Sequence, residues 1–246
     1  MRVVILAAGK GKRMNHELPK VLIALEGKPM LSHLLYAVEK SGVDSKPAIV
    51  VAPGNIDIIK QSVGDNYDYV VQKEQLGTGD AVRSTRALLE GKTDVVMVLY
   101  GDHPFLKPET IKTLRDFHRK EGTVLTMMTI SVPDFEGWRK PFYDFGRVIR
   151  DGQGEVVDII EKKDTTPDQL KIREVNPSFF CFRADWLWPN LEKLTNKNAQ
   201  GEYYLTDLVR IAIQGGERIA SVDVNPQESI GVNTPEHLAL ANTLVT

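Results

Sequence analysis

RVVILAAGKGKRM (residues 2–14) starts as an apolar, β-branched run and breaks into two glycines with three basic side chains, Lys10, Lys12 and Arg13. The run does not alternate apolar with polar, as a strand with one wet face would. Continuous apolar strands are those covered on both faces, the pattern of a parallel sheet between layers of helices. PAIVVA (47–52), YVV (69–71) and DVVMVLY (94–100) share this texture. Between them, 29–41, 55–63 and 78–90 carry apolar residues at helical spacing, with Ala81, Val82, Thr85, Leu88 and Leu89 on one such face. The alternation predicts right-handed βαβ crossovers and a doubly wound α/β fold with a mostly parallel sheet.

The texture changes after about residue 123. FGRVIRDGQGEVVDIIEKKD holds two strand-like runs around Asp151-Gly152-Gln153-Gly154, a hairpin signal. EVNPSFFCFR reads as one further strand, followed by a helix from Asp185 and another through YYLTDLVRIAI. RIASVDV gives a closing strand, and a C-terminal helix follows Thr234. No Gly/Ser/Pro linker divides the halves, so the expectation is one domain over 1–246. A nucleotide-sized half (1–122) is followed by a sugar-sized half with the C-terminal helix (123–246).

At 246 residues with a formal charge of −2, the chain can bury a large core and has no overall positive field for nucleic acid or an anionic membrane. No apolar run reaches the roughly 18 residues of a membrane span. Strand-forming sequence begins at residue 2 with no signal-peptide pattern, so the expected location is the cytoplasm. The single cysteine, Cys181, excludes an intramolecular disulfide and a thiolate metal cage, and five scattered histidines offer no zinc spacing.

The glycine loop fails both common nucleotide patterns. Arg13 follows Gly11-Lys12 where a Walker A motif needs Ser or Thr, and Met14 stands at the third glycine of GxGxxG. What remains is backbone that a ligand can approach closely, with Lys10, Lys12, Arg13 and Lys20 within eleven residues. That charge suits a triphosphate, and equally a solvated basic turn. In open α/β sheets ligands bind beyond the carboxyl ends of the strands, and GDHP (101–104) after DVVMVLY falls at that same edge.

LAAGKGKRM (6–14), LPKVL (18–22), QKEQLGTGDAV (72–82) and YGDHP (100–104), then GRVIR, IIEKKD, EVNPS, NAQGEYYLTDLV and GVNTPEHL, share an order and spacing. In both respects the chain resembles the sugar-1-phosphate nucleotidyltransferases over nearly its whole length. It is most similar to the N-acetylglucosamine-1-phosphate uridylyltransferase domain of a bifunctional bacterial cell-wall enzyme. QLGTGDA and NAQGEYYLTD carry most of the specificity, since LAAGxGxRM is shared by many nucleotidyltransferases. The resemblance implies a Rossmann-like fold with an added sugar-binding β-hairpin lobe, and a reaction of UTP with a sugar-1-phosphate. Mg2+ would be the cofactor, and a homo-oligomer is left open.

A sugar phosphate is largely dianionic at neutral pH, its second pKa being about 6, so it is already a nucleophile and needs no Ser/His pair. By the resemblance, Arg13 and Lys20 hold phosphate and act catalytically with Asp102. Asp102 and Asn233 hold the metal, hard oxygens of the kind Mg2+ takes alongside waters and substrate phosphates. Leu6, Ala7, Ala8, Gly9, Gln72, Gly77, Thr78, Tyr100 and Gly101 bind the nucleotide. Gly146, Glu161 and Asn176 bind the sugar. Each has a plainer reading: Lys20 a surface lysine after a proline, Asp102 a turn residue, Asn233 a helix cap, Thr78 a helix cap, Glu161 a solvated strand end.

Three departures from the relative stand out. Asn176-Pro177-Ser178 replaces its Asn-Thr-Gly. The stretch DFEGWRKPFYDFG (134–146) is longer and rich in aromatic and basic residues, either a lid over the sugar or a packed insertion or subunit contact. No acetyltransferase β-helix domain is expected, which fits a stand-alone uridylyltransferase or one domain of a larger chain. UDP-glucose or dTDP-sugar chemistry and a non-catalytic sugar-nucleotide binder remain as alternatives. Cytidylyl or molybdopterin-guanylyl transfer is further off, since it accounts for LAAGKGKRM and not for NAQGEYYLTD.

Overall fold

In the computed structural model, which describes residues 1–14 and 16–244, the opening apolar run forms β1 (Arg2–Ala7). A small antiparallel pair, β2 (Ala24–Leu25) and β3 (Lys28–Pro29), leads into α1 (Met30–Ser41). Then come β4 (Ala48–Val51), α2 (Ile56–Val63), β5 (Asp68–Val71), α3 (Thr78–Arg83), α4 (Arg86–Leu89) and β6 (Val95–Tyr100). The second half contains α5 (Pro108–Glu121), β7 (Leu125–Ser131), β8 (Gly146–Arg150), β9 (Val156–Ile160), β10 (Glu174–Asn176) and β11 (Phe180–Arg183). It closes with α6 (Ala184–Leu191), α7 (Asp207–Gln214), β12 (Ile219–Asp223) and α8 (Pro235–Leu244).

Among the described residues, one ten-stranded sheet runs β5-β4-β1-β6-β11-β7-β10-β8-β9, with β12 also on β7. β5, β4, β1 and β6 are parallel, and β7 with β12 keep their direction across a single reversed strand, β11. β10, β8 and β9 then alternate as an antiparallel lobe. The sheet is thus mostly parallel in strand direction, with the expected hairpin lobe at one end.

The absence of alternation in β1 now has its cause. Val4 and Leu6 pack with Ala81, Leu187 and Leu208 from α3, α6 and α7. Val3 and Ile5 pack with Leu34, Ile59 and Ile111 from α1, α2 and α5. β4 and β6 divide their residues between the same two cores.

Two predicted elements break. The 78–90 helix is interrupted between α3 and α4, where Ser84 and Thr85 turn their hydroxyls back onto the carbonyls of Ala81 and Val82. Such local bonds compete with helix continuation. EVNPSFFCFR is two strands with different partners: β10 lies between β7 and β8, and β11 between β6 and β7. Pro177 has no N–H to give a ladder, and Ser178 sits at a left-handed φ of 67° with its N–H on Asn176 Oδ1 at 2.9 Å. The aromatic insertion is not an extended flap. Gly137–Asp144 forms 3-10 turns, Phe142 is fully buried, and Trp138 and Phe145 meet its ring edge-on.

Candidate active site

β1 and β6 are neighbours, while their following connections lead away to different parts of the sheet. Their carboxyl ends therefore leave the crevice in which ligands bind in doubly wound sheets. A cavity of about 770 Å³ opens there. The glycine loop (Leu6–Lys10, Gly11, Arg13) lines one side, Gln72, Gly77 and Thr78 another, and Tyr100, Asp102, Lys20 and Asn233 the floor. Lys10, Arg13, Lys20 and Lys163 give four cations against two carboxylates, Asp102 and Glu202, in the lining. The side chain of Lys12 lies outside the described residues.

Asp102 follows the end of β6 by two residues and is only 7 % exposed. Its carbonyl accepts from Val232 N–H at 2.9 Å, which brings the Gly231-Val232-Asn233 segment alongside. Gly231 passes close to His103, and a Cβ there would lie 3.1 Å from the ring, a tight approach. Lys20 Nζ donates to Asp102 Oδ2 at 2.5 Å and to Asn233 Oδ1 at 2.8 Å. Burial by itself would raise the Asp102 pKa, but the Lys20 ammonium and the adjacent His103 outweigh it and hold the group well below the usual carboxylate range. The carboxylate is ionised at all ordinary pH. Helix capping falls to Thr234, whose hydroxyl accepts from His237 N–H at 3.2 Å, so the Asn233 side chain is free for Lys20.

The two specific motifs touch each other. Tyr203 N–H donates to Leu76 O at 2.7 Å, Gly79 N–H to Tyr203 O at 2.8 Å, and Leu205 N–H to Thr78 Oγ1 at 2.9 Å. QLGTGD and GEYYLT thus build one wall between them. In that wall Gln72 donates its amide N–H groups to Gly77 O at 3.0 Å and Asp80 Oδ2 at 2.8 Å. Two acceptors on Nε2 fix the amide's orientation, leaving Oε1 as the group a ligand can use.

Gly146, Asn176 and Glu161 also come together. Gly146 pairs with Asn176 across β8 and β10, and a Cβ on Gly146 would lie 3.6 Å from the Glu161 carboxyl. The three stand behind Tyr100 and do not line the cavity itself. Tyr100 lies between the two regions: burial raises the pKa of its hydroxyl, and the nearby Thr78 and Ser178 side chains oppose that rise. Burial raises the Glu161 pKa, and Asp207, Asp164 and Glu202 reinforce the rise against a 3.0 Å hydrogen bond from Thr206. Gly101 lies behind the wall, its N–H on Leu6 O at 3.0 Å. Arg13 lines the cavity with a 63 % exposed side chain, 3.9 Å from Asp144.

Several lining residues went unassigned in the sequence. Gln75 donates to Ala8 O across the cavity, and Lys163, Gln200 and Glu202 line the wall facing the glycine loop. All fall inside the motifs quoted above, which signalled the segments but not which side chains turn inward. Conversely, none of residues 134–145 lines the cavity.

A glycine loop, cations and a buried carboxylate that converge on one crevice of an α/β sheet make a site suited to a phosphorylated ligand. The family model described as "MobA-like NTP transferase domain" matches residues 3–209, and the chain belongs to that family. "Bifunctional protein GlmU" of Clostridium novyi is 41 % identical over 242 residues, covering 98 % of this chain and 51 % of that protein. The protein of the same name from Pelotomaculum thermopropionicum is 40 % identical over 240 residues, covering 97 % and 50 %. The chain thus spans about half the length of the curated relatives it matches. A solved structure from Bacillus anthracis, provisionally named glucose-1-phosphate thymidylyltransferase and holding sucrose, superposes with a TM-score of 0.77. It is 19 % identical and covered to 94 %, against 99 % of this chain, so the likeness is one of fold. Among the described residues no helix is long and apolar enough to cross a membrane.

Proposed function

We propose that the chain transfers a uridylyl group from UTP to a sugar-1-phosphate, N-acetylglucosamine-1-phosphate foremost, giving a UDP-sugar and pyrophosphate. The observation that carries this reading is the meeting of Lys20, Asp102 and Asn233 in a cavity shared with the glycine loop and the Gln72-Gly77-Thr78 wall. A phosphate oxygen of the sugar phosphate attacks the α-phosphorus, the bond from that phosphorus to the β-phosphate oxygen breaks, and pyrophosphate leaves with its electron pair. No proton has to be removed, and the work is positioning and charge neutralisation. Lys20 supplies a point charge beside the α-phosphate, and Arg13 a fork for the outer phosphate oxygens. Gly77 lets backbone approach the base, and Gln72 Oε1 accepts from its N3–H.

Two hard oxygens turned to one point, a carboxylate and an amide, suit Mg2+, which completes its shell with waters and phosphates. Asp102 and Asn233 would hold it, and it would supply neutralisation of the triphosphate's charge. Gly146, Glu161 and Asn176 would hold the sugar behind Tyr100, with both halves of the chain acting as one unit. Gln72 offers only an acceptor, and thymine carries the same N3–H as uracil. A dTDP-sugar or UDP-glucose activity is therefore the second reading.

The test is pyrophosphate release with UTP, dTTP, CTP and GTP against a panel of sugar-1-phosphates, with Mg2+ and with EDTA. UTP with N-acetylglucosamine-1-phosphate is expected to turn over fastest, and only with the metal. Turnover with no pair, alongside tight UDP-sugar binding, would make the chain a binding protein instead.

A further inference from the structure

The two oxygens assigned to the divalent cation are already bound by the chain itself. Asp102 Oδ2 and Asn233 Oδ1 both point at the Lys20 ammonium, at 2.5 and 2.8 Å. The other carboxylate oxygen, Oδ1, faces His103 Nδ1 at 3.2 Å. A cation that takes these two oxygens therefore takes them from Lys20. The lysine's backbone cannot yield. It lies in a one-turn 3-10 segment after Pro19 whose next residues, Val21 and Leu22, are buried, and it packs closely against Gly11. The side chain can yield, because it lines the cavity and has a flexible four-carbon stem.

We propose that Lys20 is an exchangeable latch. Without nucleotide its ammonium holds Asp102 and Asn233 together in the place of the metal. When the cation arrives with a triphosphate, the ammonium is drawn off the carboxylate and turned onto the phosphates. This reading rests on the metal assignment above. An ammonium and a divalent cation at one nearly buried carboxylate repel each other, and only incoming phosphate relieves the repulsion. Metal and nucleotide consequently bind with positive coupling: the bare chain binds the metal weakly, and nucleotide strengthens that binding by moving the lysine. Lys20 then has two successive positions, ordering the metal oxygens first and placing charge on phosphate second.

The experiment measures Mn2+ binding to nucleotide-free protein by the loss of the free-ion EPR signal, with no turnover involved. It compares wild type, Lys20→Met, Lys20→Arg, Asp102→Asn and the Lys20→Met/Asp102→Asn double variant, with circular dichroism and melting temperature confirming that each is folded. Removing one unit charge from beside the carboxylate is expected to tighten Mn2+ binding in Lys20→Met by at least about tenfold. Lys20→Arg, which keeps the charge, should stay near wild type, and Asp102→Asn should lose binding. A lysine that merely braced the fold would not tighten metal binding on removal. If Lys20→Met binds Mn2+ no better than wild type while Asp102→Asn abolishes binding, the latch is wrong and the metal site stands. If a Lys20→Met/Asp102→Asn double variant binds Mn2+ as well as Lys20→Met alone, the metal assignment falls, and the latch with it.

Discussion

Replacing Gly77 by Ala tests the joint between the two motifs that build the wall proposed to hold the nucleotide. Gly77 has φ 113° and ψ 179°, a region that essentially only glycine occupies and that costs another residue about 1–3 kcal/mol. A Cβ there would lie 2.7 Å from Tyr203 O, 2.8 Å from Tyr203 N and 2.9 Å from Glu202 Cβ. Those are backbone or near-backbone atoms and cannot rotate away. Room comes only by parting Leu76–Gly79 from Tyr203–Leu205, across which three hydrogen bonds run. Each one lost costs about 1 kcal/mol. Backbone strain with one or two lost bonds comes to about 3 kcal/mol, a fall of about 6–12 °C in melting temperature for a chain of this size. Differential scanning calorimetry measures that fall, and titration calorimetry with UTP should show weakened binding from the displaced wall. Gly9→Ala is the control, since a Cβ at Gly9 meets nothing within 4 Å and should leave the melting temperature in place. A melting temperature for Gly77→Ala within about 2 °C of wild type would refute the reasoning, because less than about 1 kcal/mol would then hold the joint.

Two further outcomes concern the rest of the molecule. Phe142→Ala should destabilise by about 3–5 kcal/mol in urea unfolding, as a fully buried aromatic in the insertion; a mobile lid would show almost no change. Burial pushes the pKa of His118 down to about 4, its ring facing the Thr126 hydroxyl at 2.8 Å. Above pH 6.5 both folded and unfolded chains are neutral at this ring. Below it the unfolded chain takes up a proton that the folded chain refuses, so this contribution to stability falls until about pH 4 and then levels off. Urea midpoints between those limits should decline less steeply for His118→Gln, and equal slopes would dismiss the buried neutral imidazole.

The layered fold was readable because burial on both faces leaves a signature that needs no partner: an unbroken apolar run. β1, β4 and β6 all show it. The two broken elements were harder to read: the 78–90 break rests on local hydroxyl-to-carbonyl bonds that Ser84 and Thr85 can make or leave unmade within a helix, and the other break is set by long-range pairing. EVNPSFFCFR has strand residues on both sides of Pro177, and that the first side pairs with β7 and β8 and the second with β6 and β7 is a long-range outcome. The same limit applies within the site. Asn233 and Thr234 both suit a helix start by residue type, and Lys20, 213 positions away, decides which of them is free. Arg147 stands in the strand-like run GRVIR, which says nothing of its surroundings. It is fully buried between the rings of Phe135 and Tyr143, with its N–H groups on the carbonyls of Phe145 and Tyr143. Long-range contacts of this kind leave no local pattern.

The insertion before Gly146 is tied to the cationic side of the cavity even though it does not line it. Asp144, the last residue of its 3-10 segment, accepts from Lys162 Nζ at 2.5 Å and lies 3.9 Å from Arg13. The Lys162 ammonium also sits 4.3 Å from the ring of Tyr143, whose neighbour across is Arg147. Placed beside the Lys20–Asp102 pair, this shows one arrangement used at two depths. The buried cation is paired to a buried carboxylate, and the outer cations share an exposed one. The outer pairs contribute little to stability, since exposed ion pairs rarely exceed about 1 kcal/mol. They do keep the cations from repelling one another before a ligand comes. Of these cations only Lys20 and Arg13 line the cavity, so a phosphorylated ligand entering it would exchange with Asp102 and Asp144 for them, and a cation already held in place costs less to order on binding. On the proposed function, the aromatic packing around Phe142 and Arg147 would act through Asp144, by fixing where the outer counter-charge stands beside Arg13.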